Sequence, residues 1–175
     1  MKKTVILLLI LTTAVTSVFL YGKFFKRRGG VTQSFKAGVQ AENFILGMKN
    51  SRVYRLYDII GSEPVILSFT FNNSQSLSFK KLFSLKFPGF ISNNPGVLWF
   101  NIHKSGNQAV IEEMTKKTGL KHRAPYKNIP YIENTANKVT VILIGKHGII
   151  RMFYVGYSPT IFTDISNSLR GNIQG

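Results

Sequence analysis

Seven consecutive residues, Val65-Ile66-Leu67-Ser68-Phe69-Thr70-Phe71, carry no charge and are mostly β-branched, aliphatic or aromatic. Such a run suits a strand covered on both faces rather than one with a wet side. A strand of that kind needs a sheet around it and a packed layer above and below. Val97–Ile102, which holds the single tryptophan Trp99, and Val139–Ile144 have the same character. Hydrophobic residues make up 44% of the 175, and aromatic residues 13%, enough for a packed core and against a disordered chain.

The segments between these runs supply the layers. Phe44–Met48 and Val53–Leu56 read as a small hairpin, and Gly61-Ser62-Glu63-Pro64 as a turn. In 74–85, apolar residues at Leu77, Phe79, Leu82, Phe83 and Leu85 fit an amphipathic helix with a serine-rich first turn, interrupted by Pro88-Gly89. Asn93-Asn94-Pro95-Gly96 is a turn. Residues 108–118, with Val110, Ile111 and Met114 on one side and Gly119 after them, read as a second helix. Gly145-Lys146-His147-Gly148 is a hairpin turn, 149–155 the return strand and 161–169 a closing amphipathic helix. The order after the first hairpin is therefore β-α-β-α-β-β-α. Strands joined through helices run parallel and the last runs antiparallel. The expected fold class is α/β, a thioredoxin-like arrangement with a central mixed sheet and helices on both faces.

The N-terminus reads differently. Residues 4–21 are uncharged and rich in Leu, Ile and Val. As a helix they would be about 27 Å long, close to the roughly 30 Å of a bilayer core. Lys2 and Lys3 precede them, and Lys23, Lys26, Arg27 and Arg28 follow. A cleaved signal peptide would have a shorter apolar region ending in small residues, whereas this run ends Val18-Phe19-Leu20-Tyr21. The expected organisation is an uncleaved anchor with basic flanks over 1–28, a linker over 29–42 and one domain over 43–175.

The net charge of +16 favours acidic partners or anionic lipid. Six of the 23 basic residues lie in the first 28 positions, so the rest still carries 17 basic against 7 acidic residues. The densest group is Lys116, Lys117, Lys121, His122, Arg123 and Lys127. It reads as a solvated helix end and loop, with contact to an acidic surface or anionic lipid as the competing reading. No aromatic-interleaved basic motif accompanies it, and nucleic acid is not an expected partner.

Val65–Phe71 and the loop after it, Asn72-Asn73-Ser74-Gln75-Ser76-Leu77-Ser78, resemble the active-site strand and loop of thioredoxin-like proteins. Within that group the sequence is similar to the Sco family, copper chaperones of cytochrome c oxidase. Phe100-Asn101-Ile102-His103, Tyr131-Ile132 and Leu143-Ile144-Gly145-Lys146-His147-Gly148 resemble that family's later strands and glycine turn. The resemblance spans about residues 43–171. It implies one N-terminal transmembrane helix, one thioredoxin-fold domain, and a copper site made by a Cys-x-x-x-Cys pair and a distal histidine.

The chain has no cysteine. The pair falls on Ser74 and Ser78, and the histidine place, near Asn137, lies in a stretch without His. A hydroxyl neither ionises near neutral pH nor binds soft metal as a thiolate does. The proline that thioredoxins place before the late strand is also missing, with Val139 the nearest equivalent. No replacement set is evident. His103, His122 and His147 lack ligand spacing, and Met48, Met114 and Met152 sit at core-pattern positions. A serine nucleophile needs a base and a carboxylate. Only His103 is a candidate base, and Glu112 and Glu113 read as exposed helix residues. No glycine-rich phosphate loop occurs. Ser74 or Asn73 serves more simply as a helix cap.

The resemblance and its broken motif together imply no catalytic residue, no metal and no cofactor. They imply a membrane-anchored accessory subunit of a mitochondrial respiratory complex, cytochrome c oxidase first. Its partners would be lipid around residues 4–21 and neighbouring subunits. An assembly factor delivering copper through another site, or an inert bacterial envelope protein in the inner membrane, are the alternatives. The family topology puts the domain in the intermembrane space, whereas the charges from Lys23 to Arg28 point to the opposite side.

Overall fold

The computed structural model describes residues 37–106, 108–120, 131 and 136–171. The chain divides into two units, Met1–Ser34 and Phe35–Gly175. The expected anchor at 4–21 and its basic flanks lie outside the described residues. Among those that are described, no helix is long and apolar enough to cross a membrane.

A hairpin opens the second unit. Strands β1 (Ile45–Lys49) and β2 (Arg52–Arg55) pair antiparallel. Their turn residues Asn50 and Ser51 have φ of 49° and 64°. Two positive φ values give the turn the twist that matches its strands, and asparagine tolerates that region better than most residues. A single 3-10 turn at Leu56–Asp58 follows, closed where the Asp58 carboxylate accepts from the Arg55 N–H at 2.8 Å.

The central sheet has five strands in the order β5-β4-β3-β6-β7. These are β3 (Val65–Phe71), β4 (Leu98–Ser105), β5 (Gln108–Glu113), β6 (Thr140–Ile144) and β7 (Ile150–Val155). β3 lies at the centre and all seven of its residues are buried, as its composition requires. It runs parallel to β4 and antiparallel to β6, and β6 runs antiparallel to β7. Helix α1 (Ser74–Asn93) makes the crossover from β3 to β4, and helix α2 (Ile161–Arg170) follows β7. The order β4-β3-β6-β7, with these directions and these two helices, is that of a thioredoxin-like fold.

Alternation along the strands makes two cores. Ile66, Trp99, Val141 and Leu143 face α1 and α2 and pack on Phe79, Phe90, Ile161, Phe162 and Ile165. Trp99 is the hub of an aromatic group, with ring centroids 5.1 Å from Phe83 and 5.5 Å from both Phe90 and Phe162. On the opposite face Val65, Leu67, Phe69, Phe100, Ile102, Ile142 and Ile144 pack on Leu46, Leu56, Leu120 and Tyr131. Each fully buried side chain of this size contributes about 1.5–3 kcal/mol relative to exposure.

Five expectations are corrected. The third of the helix-joined strands, β6, was expected to run parallel and instead runs antiparallel to β3. Residues 108–118 do not form a helix: β5 occupies Gln108–Glu113 and pairs antiparallel with β4. Ala109, Ile111 and Glu113 point inward while Val110 and Glu112 point outward, the two-residue period of a strand. Glu113 is accordingly buried, not an exposed helix residue. Its carboxylate accepts from Thr118 N–H and Oγ1, each at 2.7 Å, and from Leu120 N–H at 3.1 Å. Both described helices therefore lie on one face of the sheet, and the β1–β2 hairpin and its neighbours cover the other. Pro88 does not interrupt α1, which runs on to Asn93. Proline removes the hydrogen bond to the carbonyl four residues back. That residue, Ser84, and Pro88 itself are both exposed, so water can serve the carbonyl.

Residues 37–42, within the expected linker, run beside β7. Gln40 bridges to Ile149, and Ile150 N–H donates to Val39 O at 2.8 Å.

Candidate functional site

β3 ends at Phe71, and the chain turns through Asn72 and Asn73 into α1. This places Ser74 in the first turn of the helix and Ser78 one turn further on. Ser74 is exposed and Ser78 half-buried. Neither hydroxyl has a hydrogen-bond partner among the described residues.

The cap of α1 is Asn73, whose Oδ1 accepts from Ser76 N–H at 2.9 Å. Its amide Nδ2 donates to the carbonyl of Asn137 at 2.6 Å. All three positions matched to the resembling family's ligands thus gather at one end of the sheet, around one helix start. The hydroxyl that holds this start together is Ser76, which lies between them. It is buried, and its Oγ accepts from Phe71 N–H at 2.8 Å. That bond satisfies a main-chain donor where β3 leaves the sheet.

Beside the loop lies a crevice of about 440 Å³, lined by Phe71, Asn72, Asn73, Lys104, Ser105, Gly106 and Asn137. It opens at the carboxyl ends of β3 and β4, the usual place for ligands in open α/β sheets. Asn72 Nδ2 donates to Ser105 Oγ at 2.8 Å and ties its two loops together. Lys104 is the single charged residue of its lining.

A polar column runs beneath α1 toward the same end. The Trp99 indole N–H donates to Ser68 Oγ at 3.0 Å, and Ser68 Oγ donates to Asn101 Oδ1 at 3.0 Å. Thr70 Oγ1 lies 3.4 Å from Asn101 Oδ1 and 3.2 Å from His103 Nδ1. Parallel register makes this possible, because Ser68 faces Asn101 and Thr70 faces His103 across β3 and β4. Burial holds the His103 pKa below its usual value, and the positive charge of Lys80 lowers it further. His103 is partnered with Thr70 in this column, which is not the base–serine pairing that nucleophilic catalysis needs.

The other residues singled out in the sequence are dispersed. His147 lies in the β6–β7 turn and Val139 just before β6, while His122 lies outside the described residues. Met48 is exposed, a correction to its expected core place. Met114 and Met152 pack at the edge of the core beneath the helices. In the basic group, Lys117 Nζ pairs with Glu63 at 2.9 Å and also donates to Pro95 O, and Lys116 is exposed. Lys121, Arg123 and Lys127 lie outside the described residues. The polar column and Ser76 were not singled out from the sequence. Their trace was there: Ser68 and Thr70 share one face of an apolar run, as Asn101 and His103 share one face of the next.

No protein-family model matches the chain, and no curated protein matches it. Among solved structures it is similar to a thiol:disulfide interchange protein from Bacteroides sp., with 12% identity and a TM-score of 0.47, over 77% of this chain and 91% of that one. It is likewise similar to the yeast mitochondrial 1-Cys peroxiredoxin, with 13% identity and a TM-score of 0.49, over 79% and 78% of the two chains. The mitochondrial 2-Cys peroxiredoxin of Plasmodium falciparum shows 16% identity and a TM-score of 0.48, over 79% and 96%. The thioredoxin-like assignment rests on strand order and direction.

Proposed function

We propose that this chain is a membrane-anchored, non-catalytic thioredoxin-like protein that works by binding. It serves as an accessory subunit of a respiratory complex, with cytochrome c oxidase first among the candidates. One observation carries the reading. The helix start that in thiol-dependent relatives presents reactive sulfur here presents Ser74 and Ser78, while Asn73 engages the main chain at the third position, Asn137. Hydroxyls at that place support neither thiol–disulfide exchange nor a soft-metal site. A surface held rigid by such bonds suits a contact better than a reaction.

The choice of complex and the placement of the domain in the intermembrane space, or the periplasm of a bacterium, follow from the resemblance to Sco proteins. The anchor at 4–21 supplies the attachment, and the basic surface supplies attraction to acidic subunits or lipid headgroups.

The test is purification of the tagged full chain from its own membranes in mild detergent. Recovery in fixed ratio with oxidase subunits supports the proposal. Recovery as a free monomer counts against it, as does tight one-to-one binding of Cu(I), which would favour a copper-delivery role. Protease treatment of mitoplasts tests placement: a domain still protected after rupture of the outer membrane lies on the matrix side and overturns that part.

A further inference from the structure

Helix α1 carries Lys80, Lys81 and Lys86 and no acidic residue in its twenty. Its inner side is Ser76, Phe79, Phe83, Phe87 and Phe90. At about 100° per residue, the line opposite holds Ser74, Lys81, Leu85 and Ser92, with Leu77, Pro88 and Lys80 to one side of it, while Lys86 turns back toward the closing helix. Leu85 is 74% exposed and Leu77 62%, more than any other large hydrophobic side chain among the described residues. The single ion pair among those residues joins Lys117 to Glu63, so the α1 lysines have no carboxylate partner there.

Two exposed leucines with Lys81 between them and Lys80 beside them match the requirements of a lipid surface. The apolar side chains enter the headgroup boundary, and the lysine stems lie along it with their ammonium groups on anionic phosphates. A protein groove that receives a helix reads an unbroken apolar strip at i, i+3, i+4 and i+7, and Lys81 breaks that strip here. The net charge of +16 adds long-range attraction of the same sign.

We propose that the solvent face of α1 rests on an anionic bilayer surface, with Leu77 and Leu85 inserted and Lys80 and Lys81 on the headgroups. This contact is separate from the proposed anchor and does not require it.

Because the chain has no cysteine, a single introduced thiol takes an environment-sensitive fluorophore at one place only. Full-length L77C and L85C, and V53C on the exposed β2 as a control, would be labelled and mixed with vesicles. One set is phosphatidylcholine alone and the other contains phosphatidylglycerol as well. The expected result is a blue shift at positions 77 and 85 with the anionic vesicles alone, no shift at 53, and loss of the shift in K80Q/K81Q or at high salt. Labels at 77 and 85 that stay in water, or shift equally with both vesicles, overturn the proposal. So does a shift that grows with protein concentration without lipid, which would assign the face to a second copy. Pelleting with phosphatidylcholine vesicles reports on the anchor separately, so the two readings can fail independently.

Discussion

The side-chain amide of Asn73 donates to the carbonyl of Asn137 across 2.6 Å, while its oxygen accepts from Ser76 N–H at the start of α1. One side chain therefore caps the helix and fastens it to the segment that leads into β6. The junction is a closed joint.

Asn73→Ala removes both bonds. Losing a cap costs about 1 kcal/mol, and the cross-link adds a similar amount, for a total of about 1–2 kcal/mol. Asn73→Asp keeps the accepting oxygen at the positive end of the helix and loses only the donor. It should cost clearly less. Urea unfolding of the three proteins checks this, and equal losses in the two variants would contradict the dual role.

Ser74 and Ser78 differ in electrostatic setting although they belong to one motif. Ser74 lies in the first turn, where free N–H groups favour an anion, and Ser78 is a turn further on. The thiol of S74C should therefore titrate below the ordinary value of about 8.5, and below the thiol of S78C. The rate of alkylation by iodoacetamide against pH gives both values. An S74C thiol at or above its ordinary value would show that this helix start does not activate sulfur.

Glu113 holds the turn after β5 through three accepted hydrogen bonds. Glu113→Gln places an amide donor against those N–H and O–H donors. The expected loss is about 1–3 kcal/mol, because buried donors are left without partners. Thermal unfolding measures it, and Glu112→Gln, one residue away and exposed, should stay within about 0.5 kcal/mol of the parent.

Stability should fall at both ends of the pH scale for identifiable reasons. Burial raises the Tyr131 phenol from 10.0 to about 12, with its bond from Glu42 N–H acting in the opposite direction. The unfolded phenol ionises first, so this contribution is whole below pH 10.0 and is lost as pH rises toward 12. His103 has its folded pKa depressed below 6.5. Its contribution is present above pH 6.5 and is lost as pH falls through the folded value. Urea midpoints across pH should show both declines. The ring-proton titration of His103 should have its midpoint below 6.5 and rise only partly in Lys80→Gln, since burial is the larger cause.

The strands were the most legible part of the fold. Val65–Phe71 reads as fully buried and is so, and the two hairpins and the closing helix are where composition places them. The segment from Gln108 was misread because Val110, Ile111 and Met114 satisfy helical spacing as well as they satisfy a strand. Glu113 decided against the helix, since its buried place depends on donors at Thr118 and Leu120 that spacing does not reveal. Pro88 was misread for a related reason. Proline costs the helix one hydrogen bond and crowds the carbonyl of Ser84, and on the exposed side of α1 that carbonyl can turn toward water, a matter of facing that residue type does not reveal. At the site, the positions of Ser74 and Ser78 were legible, but the work of Asn73 and Ser76 was not. Asn73 joins residues 64 apart, and neither partner carries a mark of the other.

The replacement of the second crossover by β5 bears on how the chain finds its shape. β4 and β5 are joined by a tight connection, as are β6 and β7, so both pairs can close over a few residues. Local closures are fast, and distant ones wait on loop entropy. β3 alone, among the five strands of the sheet, has no neighbour it can reach so cheaply. It joins β4 across all of α1 and β6 from farther still. The longest fully buried strand is thus the one whose partners arrive last, and the time during which it stands uncovered is when this chain is most open to aggregation.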